Sequence, residues 1–380
     1  MRTVALALAC VLGSSACDSE PKATPDRSGG APAKASTTPA PAKPATTQPP
    51  AQPSEPTPAA EAPPVRKDGT IFAESELMGT RVTVNVWLPP DVEAASAGAS
   101  IQAAFDEIAR IESIMSEWQP DSELSRFNDA AGEPAMPLSE ELTEVLARSR
   151  EIAEISGGTF DPTFHGVGQL WSFRPDATPP TKAEVKAKLP LVDYRKMEID
   201  ADAKSGRLTT AGMKVGLGAI AKGYAVDRAS ALLVARGLPH HVVEAGGDTY
   251  ARGTKGGKKW VVGIQKPGER GIVAALPSSD EAVVTSGDYQ RYFEFEGKRY
   301  AHILDPKTGW PIPAERSAPS VTVVAPNATD ADAFATAVAV MGPKAGMAFV
   351  ESRPELEAVI LDADGKTLVS SGLTDRLVYP

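Results

Sequence analysis

The sequence predicts an α+β fold: a single catalytic unit of mixed sheets and helices, preceded by a disordered tether. Apolar residues recur at helical spacing in several separate stretches, and short runs of β-branched and aromatic residues lie between them. The strand-like runs come in hairpin-like pairs and do not alternate singly with helices, which favours antiparallel pairing over a parallel doubly wound sheet. A hydrophobic content of 42% in 380 residues is enough for a sizeable core. Thirteen of the 34 prolines lie between Pro21 and Pro64, so the folded unit is expected at residues 67–380.

Residues 1–16 read as a secretory signal: Arg2, an apolar run from Val4 to Leu12, then small residues up to Ala16. The run is too short to span a bilayer as a helix. Small residues ending at Cys17 match a lipoprotein-type signal, which makes Cys17 the lipidated first residue of an exported chain anchored at a bacterial membrane, facing the periplasm. The plain alternative is an ordinary cleaved signal with an incidental cysteine. Residues 17–66 are rich in Pro, Ala and Thr and cannot bury enough surface to offset the entropy of ordering. At about 3.1 Å per residue such a linker reaches about 155 Å at most.

Cys10 and Cys17 are the only cysteines, so the folded part holds no disulfide framework, thiolate metal site or cysteine nucleophile. A net charge of −10 supplies no basic surplus for nucleic acid.

Arg81 to Leu88 alternates, with Val82, Val84, Val86 and Leu88 on one face, and predicts a half-buried strand. Ile101, Phe105, Ile108, Ile111, Met115 and Trp118 mark an amphipathic helix. A second helix runs from Glu140 to Ser156 with Ser139 as N-cap and Gly157 as stop, and a third from about Ala219 to Arg236 before Gly237. Extended runs follow at His241–Val243, Trp260–Ile264, Ala282–Thr285, Tyr292–Phe295, Ser320–Ala325 and Leu356–Leu361, with helices at Asp330–Met341 and around Lys344–Glu351. His240 and His241, just past a helix end, read as surface residues compensating its dipole.

Four segments carry candidate chemistry. Gly216-Leu217-Gly218-Ala219-Ile220-Ala221 fits a dinucleotide fingerprint opening a helix, but no buried parallel strand precedes it. Its small residues and the following Lys222 still suit an anion at a helix start. Asp332 and Thr336 are four apart on one helix face, a hard-oxygen pair suited to Mg²⁺. The plain alternative is a capping box, with Thr329 as N-cap and Asp332 at N3. His302 precedes Asp305-Pro306-Lys307-Thr308-Gly309, which is turn chemistry. Asp161, after Gly157-Gly158-Thr159-Phe160, is either an Asx-turn residue or a site group, and Gly246-Gly247-Asp248 reads as a turn in isolation.

Taken in order, these blocks resemble one family. Met78-Gly79-Thr80, Met115-Ser116-x-Trp118 with Asp121 to Asn128, Gly158-x-Phe160-Asp161-Pro162-Thr163, Gly218 to Ala225, Ala245-Gly246-Gly247-Asp248, Ser286-Gly287-Asp288-Tyr289, His302-Ile303-x-Asp305-Pro306-x-Thr308-Gly309 and Ala331-Asp332-Ala333-x-Ala335-Thr336-Ala337 are similar to the FAD:protein FMN transferases of ApbE type. The resemblance covers about Thr70 to Val378. It implies an ApbE/T-fold-like unit that binds FAD with Mg²⁺, releases AMP, and attaches FMN through a phosphoester to a Thr or Ser of a partner protein.

By resemblance the metal ligands fall on Asp332, Thr336 and Ala219, the last through its carbonyl oxygen. Flavin contacts fall on Met78, Trp118, Thr159, Phe160, Asp161, Lys222, His302 and Ile303. Two positions depart from the pattern: Gly216, where many members carry Asp, and Ala335, where some carry a second carboxylate. In the mechanism that follows, Asp332 is catalytic through the metal, His302 is the candidate base for the acceptor hydroxyl, and Trp118 and Phe160 offer stacking surface. A Mg²⁺-dependent FAD pyrophosphatase and a non-catalytic, lipid-anchored flavin carrier are the competing readings.

Overall fold

A computed structural model describes residues 63–287 and 291–380; the signal, most of the tether, Cys17, Asp288 and Tyr289 lie outside the described residues. Eight strands form one sheet whose spatial order repeats chain order: β1 (Thr70–Leu77), β2 (Thr80–Trp87), β3 (His241–Ala245), β4 (Asp248–Arg252), β5 (Glu281–Gly287), β6 (Ser320–Ala325), β7 (Glu357–Leu361) and β8 (Thr367–Val369). Every neighbouring pair is antiparallel. The glycine-rich fingerprint therefore has no parallel β-α-β unit around it, and the dinucleotide-fold alternative falls.

Six helices matter here: α1 (Ala94–Met115), α2 (Glu123–Asp129), α3 (Glu140–Ile155), α4 (Ala221–Ala235), α5 (Ala328–Met341) and α6 (Pro343–Glu351). α1, α4 and α5 cover one sheet face, where Val82, Val84, Val86, Ile108, Ala225, Val321 and Ala333 join the main core. The opposite face is closed by a hairpin, Trp260–Gln265 with Ile272–Ser278, which packs Ile264 and Leu276 onto Val283, Val324 and Val359. Strands β5 to β7 are thus covered on both sides and are largely buried along their length, whereas β2 alternates. A third cluster gathers Trp171, Phe293, Tyr300 and Leu304, with Phe173 and Trp310 against it.

Three expectations need correction. Trp118 does not continue the apolar stripe of α1: the helix ends at Met115 and the indole is 79% exposed. The Gly246-Gly247 turn is the tip of a hairpin, and Asp248 opens strand β4 and does not sit in a loop. His241 is fully buried and compensates no surface dipole.

The His241 Nδ1–H donates to the Leu238 carbonyl at 2.7 Å, and Nε2 accepts from the Ser230 hydroxyl at 2.8 Å. That pattern describes a neutral ring, and burial lowers its pKa from 6.5 to about 4. Between those values the unfolded chain binds more protons, so this contribution to stability is present above 6.5 and is lost as pH falls towards 4. His241→Gln is expected to flatten the decline of Tm with falling pH in that window; an unchanged slope by calorimetry would refute the assignment.

Candidate active site

The site is built around the entry to α4. Asn128 on α2 holds Val215 by both of its backbone groups, donating to its carbonyl at 2.9 Å and accepting its N–H at 2.7 Å. The Gly216 N–H donates to the Pro162 carbonyl at 2.8 Å, and the Leu217 N–H to Glu117 Oε2 at 3.0 Å. The chain then turns through Gly218 and Ala219 into α4, whose N-cap, Ile220, supplies no side-chain acceptor. The Ala221 N–H turns back to the Leu217 carbonyl at 2.8 Å, and the Gly223 N–H takes a partner from elsewhere in the fold.

That partner is Asp332 on α5, whose Oδ2 accepts from the Gly223 N–H at 3.3 Å and from Lys222 Nζ at 3.1 Å. Lys222 Nζ also reaches Asp248 Oδ2 at 2.9 Å and the Gly218 carbonyl at 3.4 Å. Three segments distant in sequence thus meet: the start of α4, the start of β4 and the second turn of α5. Both carboxylate side chains are 3% exposed, while the lysine is 25% exposed and lies at the solvent side of the pair. Burial alone would lower the Lys222 pKa, but Asp248 and Asp332 outweigh it and hold the ammonium above its ordinary value. Burial, and then the charge of Asp332, push Asp248 well above the usual carboxylate range. A further cation beside the pair would favour the ionised form of Asp248.

The approach of α4 to α5 depends on Gly223. A Cβ there would lie 2.1 Å from the Ala328 carbonyl oxygen, so the helices touch backbone to backbone. One turn on, Asp227 clasps the start of α5, accepting from the Ala328 N–H at 2.8 Å and the Thr329 N–H at 2.9 Å. The N-cap of α5 is Asn327, which accepts the Asp330 N–H. Thr329 is already inside the helix, so the capping box with Asp332 does not form, and Asp332 is left to face Lys222. Asn327→Ala is expected to lower stability by about 1 kcal/mol, read by denaturant unfolding.

Thr336 lies one turn beyond Asp332, its hydroxyl 3.4 Å from that of Ser286 on β5. Among the described residues no cluster of three or more His, Cys, Asp or Glu is arranged to hold a metal ion. The donor set nevertheless fits Mg²⁺, which takes one or two carboxylates and completes its shell with hydroxyl, carbonyl, phosphate and water oxygens.

The other expected site residues line separate segments. Met78 and Gly79 form a two-residue turn between β1 and β2 with φ of 53° and 67°, and the Met78 N–H donates to Glu112 Oε2 at 2.8 Å. A long side chain in that backbone region is strained and is held there by α1. The Thr159 hydroxyl donates to the Ser156 carbonyl. Phe160 is only 4% exposed within the main core, so the stacking face expected of it is already covered and Trp118 is the aromatic that offers one. The Asp161 carboxylate forms the Asx turn: it accepts from the Thr163 N–H and hydroxyl and from the Tyr194 N–H. Ile303 is buried in the core. His302 Nδ1 meets the Arg291 carbonyl at 3.2 Å and the ring stands edge-on to Phe173. A carbonyl only accepts, so Nδ1 carries a proton.

The cluster thus joins Lys222, Asp332 and, through α5, Thr336, with Ala219 in the adjoining turn. Asp248 is the residue that sequence reasoning passed over. The signal was present: Gly-Gly between two extended runs is a two-residue hairpin, and the pairing of Ala245 with Asp248 places the carboxylate at its shoulder.

A profile of the ApbE family matches residues 78–360. The chain belongs to the ApbE family. A Treponema pallidum FAD:protein FMN transferase is 35% identical over 80% of this chain and 88% of its own length. One from Klebsiella pneumoniae is 32% identical over 84% and 93%. The ApbE protein of Thermotoga maritima superposes with a TM-score of 0.74 at 30% identity, covering 81% of this chain and 99% of that one. The Vibrio cholerae flavin transferase ApbE gives 0.71 at 29%, with the same coverage. The cluster of Asp248, Lys222 and Asp332 lies inside the segment matched to the ApbE family.

Proposed function

We propose that the chain is an FAD:protein FMN transferase: it moves FMN from FAD to a Thr or Ser hydroxyl of a partner protein, forming a phosphoester and releasing AMP, with Mg²⁺. The observation that carries this is the Lys222 ammonium held between Asp248 and Asp332 at the start of α4. A cation fixed at the positive end of a helix dipole suits a diphosphate. Because two carboxylates keep Lys222 protonated, it serves as a permanent counter-charge and takes no part in proton transfer. Its place at the solvent side lets it swing onto a phosphate oxygen and offset charge as AMP leaves.

Asp332, Thr336 and the Ala219 carbonyl would hold Mg²⁺, which when bound would offset the diphosphate charge and orient the phosphoryl group. Asp248 would steady the set from β4. The acceptor hydroxyl needs a base, and His302 is the candidate. Trp118 would stack a ring of the substrate, with Met78, Thr159, Phe160, Asp161 and Ile303 shaping the surrounding wall. Export and lipidation at Cys17 complete the reading, placing the enzyme on a tether at a bacterial membrane, facing the periplasm.

The same phosphate-binding cluster would serve a water nucleophile, which keeps the FAD pyrophosphatase as an alternative. Incubating the full chain with FAD, Mg²⁺ and an acceptor separates the outcomes. Transfer adds the FMN mass to the acceptor with AMP release; AMP without an adduct indicates hydrolysis; neither product indicates a carrier and overturns the proposal.

A further inference from the structure

Beside the phosphate-binding turn lies a second polar site that the mechanism above leaves unused. Glu117, between the end of α1 and Trp118, has a side chain only 11% exposed. One oxygen accepts the Leu217 N–H at 3.0 Å, and the other lies 3.9 Å from His165 Nδ1. It borders a cavity of about 200 Å³ lined also by Trp118, Ser125, Asn128, His165 and Lys214. The exposed indole of Trp118 stands edge-on to His165, with centroids 6.0 Å apart.

The carboxyl also occupies space that the chain has left for it. A Cβ on Gly216 would fall 2.7 Å from Glu117 Oε2, the only contact there under 3.0 Å. Gly216 has no positive φ to explain the missing side chain. A carboxyl delivered from the end of α1 thus fills the place of a side chain at 216.

Glu117 and Lys222 hold peptide units two apart in the same turn, the first through Leu217 N and the second through the Gly218 carbonyl. Backbone dimensions put carboxyl and ammonium within about 14 Å of one another, a separation that a dinucleotide spans.

We propose that Glu117 reads the polar edge of the substrate ring that stacks on Trp118, and so selects the dinucleotide bound at Lys222. This rests on the FAD reading above. Burial pushes the carboxyl up to about 7, partly offset by the Leu217 N–H. Burial and the Lys214 charge bring His165 down to about 4, so the imidazole beside it stays neutral. Lys214 and Asp129 are the other charged groups facing the cavity. The protonated carboxyl, which burial favours, offers a donor and an acceptor side by side, matching an N–H/C=O or amine/ring-nitrogen edge. Isoalloxazine and adenine both carry such edges.

Equilibrium titrations of the full chain with FAD, FMN and ADP, without acceptor, test this. Glu117→Ala is expected to weaken FAD about tenfold or more, whereas Glu117→Gln, which keeps a donor and an acceptor side by side, is expected to retain binding and to remove a step in wild-type affinity near neutral pH. A loss shared with FMN but not ADP places isoalloxazine on Trp118; a loss shared with ADP but not FMN places adenine there. Glu117→Ala combined with Gly216→Asp, which returns a carboxyl from the vacated side, is expected to recover binding relative to Glu117→Ala alone. Unchanged FAD affinity in Glu117→Ala, or an equal loss for all three ligands, overturns the inference. A wild-type chain that binds no FAD sinks the transferase reading itself, so the two failures are distinct.

Discussion

Asp332→Asn is expected to lower FMN transfer by about 10²-fold or more, because a charge removed from a water-poor site facing a phosphoryl group acts mainly on the transition state. The carboxylate has three roles here: it accepts the Gly223 N–H, it shares Lys222 with Asp248, and it supplies the anionic ligand of the proposed Mg²⁺ set. Asn preserves the shape and one acceptor but not the charge. Unfolding should stay cooperative, since Lys222 keeps Asp248 as its counter-ion. With the Asp332 charge gone, Asp248 should titrate closer to its ordinary range, because that charge is one of the causes raising it. Adduct mass and AMP release as functions of Mg²⁺ check the result. A variant with the wild-type rate, or one indifferent to chelation, would show that the diphosphate is activated elsewhere.

Gly223→Ala is expected to be the most damaging single methyl in the chain. In a helix interior, Ala is favoured over Gly by about 1 kcal/mol, so helix propensity predicts a gain. The contact predicts the reverse, since the new Cβ would meet the Ala328 carbonyl oxygen at 2.1 Å, its carbon at 2.5 Å and the Thr329 nitrogen at 2.9 Å. These are backbone atoms and cannot rotate away. Parting α4 from α5 should cost about 3 kcal/mol, the upper end for overpacking, and separate Lys222 from Asp332. The expected result is a lower Tm together with loss of transfer. A higher Tm would mean that the helices can slide apart freely and that the cluster does not depend on their contact.

Much of the fold is legible from local pattern. Ser139 and Gly157 bracket α3 as their chemistry requires, and the valines of β2 alternate because one face is covered and the other is half-open. Strand β1 went unread, because the mixed run from Thr70 to Leu77 has no clean period of its own and is ordered by pairing with β2. β4 was hidden by its Gly-Gly hairpin tip. Trp118 followed helical spacing but fell beyond the end of the helix, a boundary that apolar period alone cannot supply. His241 shows the same limit: a histidine after a helix end is usually on the surface, and only the packing of β3 under α4 makes it a buried neutral ring.

The order of residue types along the chain determined the family, the helix that carries Asp332 and Thr336 on one face, and the small-residue turn before Lys222, because these depend on covalent spacing and local backbone preference. What Asp332 faces was decided by tertiary structure. A capping box and an ion site look alike in eight residues of sequence; Asn327 as the actual cap, Asp227 clasping the helix start and Gly223 admitting close contact turn the carboxylate towards Lys222. Asp248 and Glu117 entered the same way, from segments whose sequence distance hides their proximity. Electrostatic energy depends on separation in space and on burial, and neither quantity exists until the sheet and helices have packed.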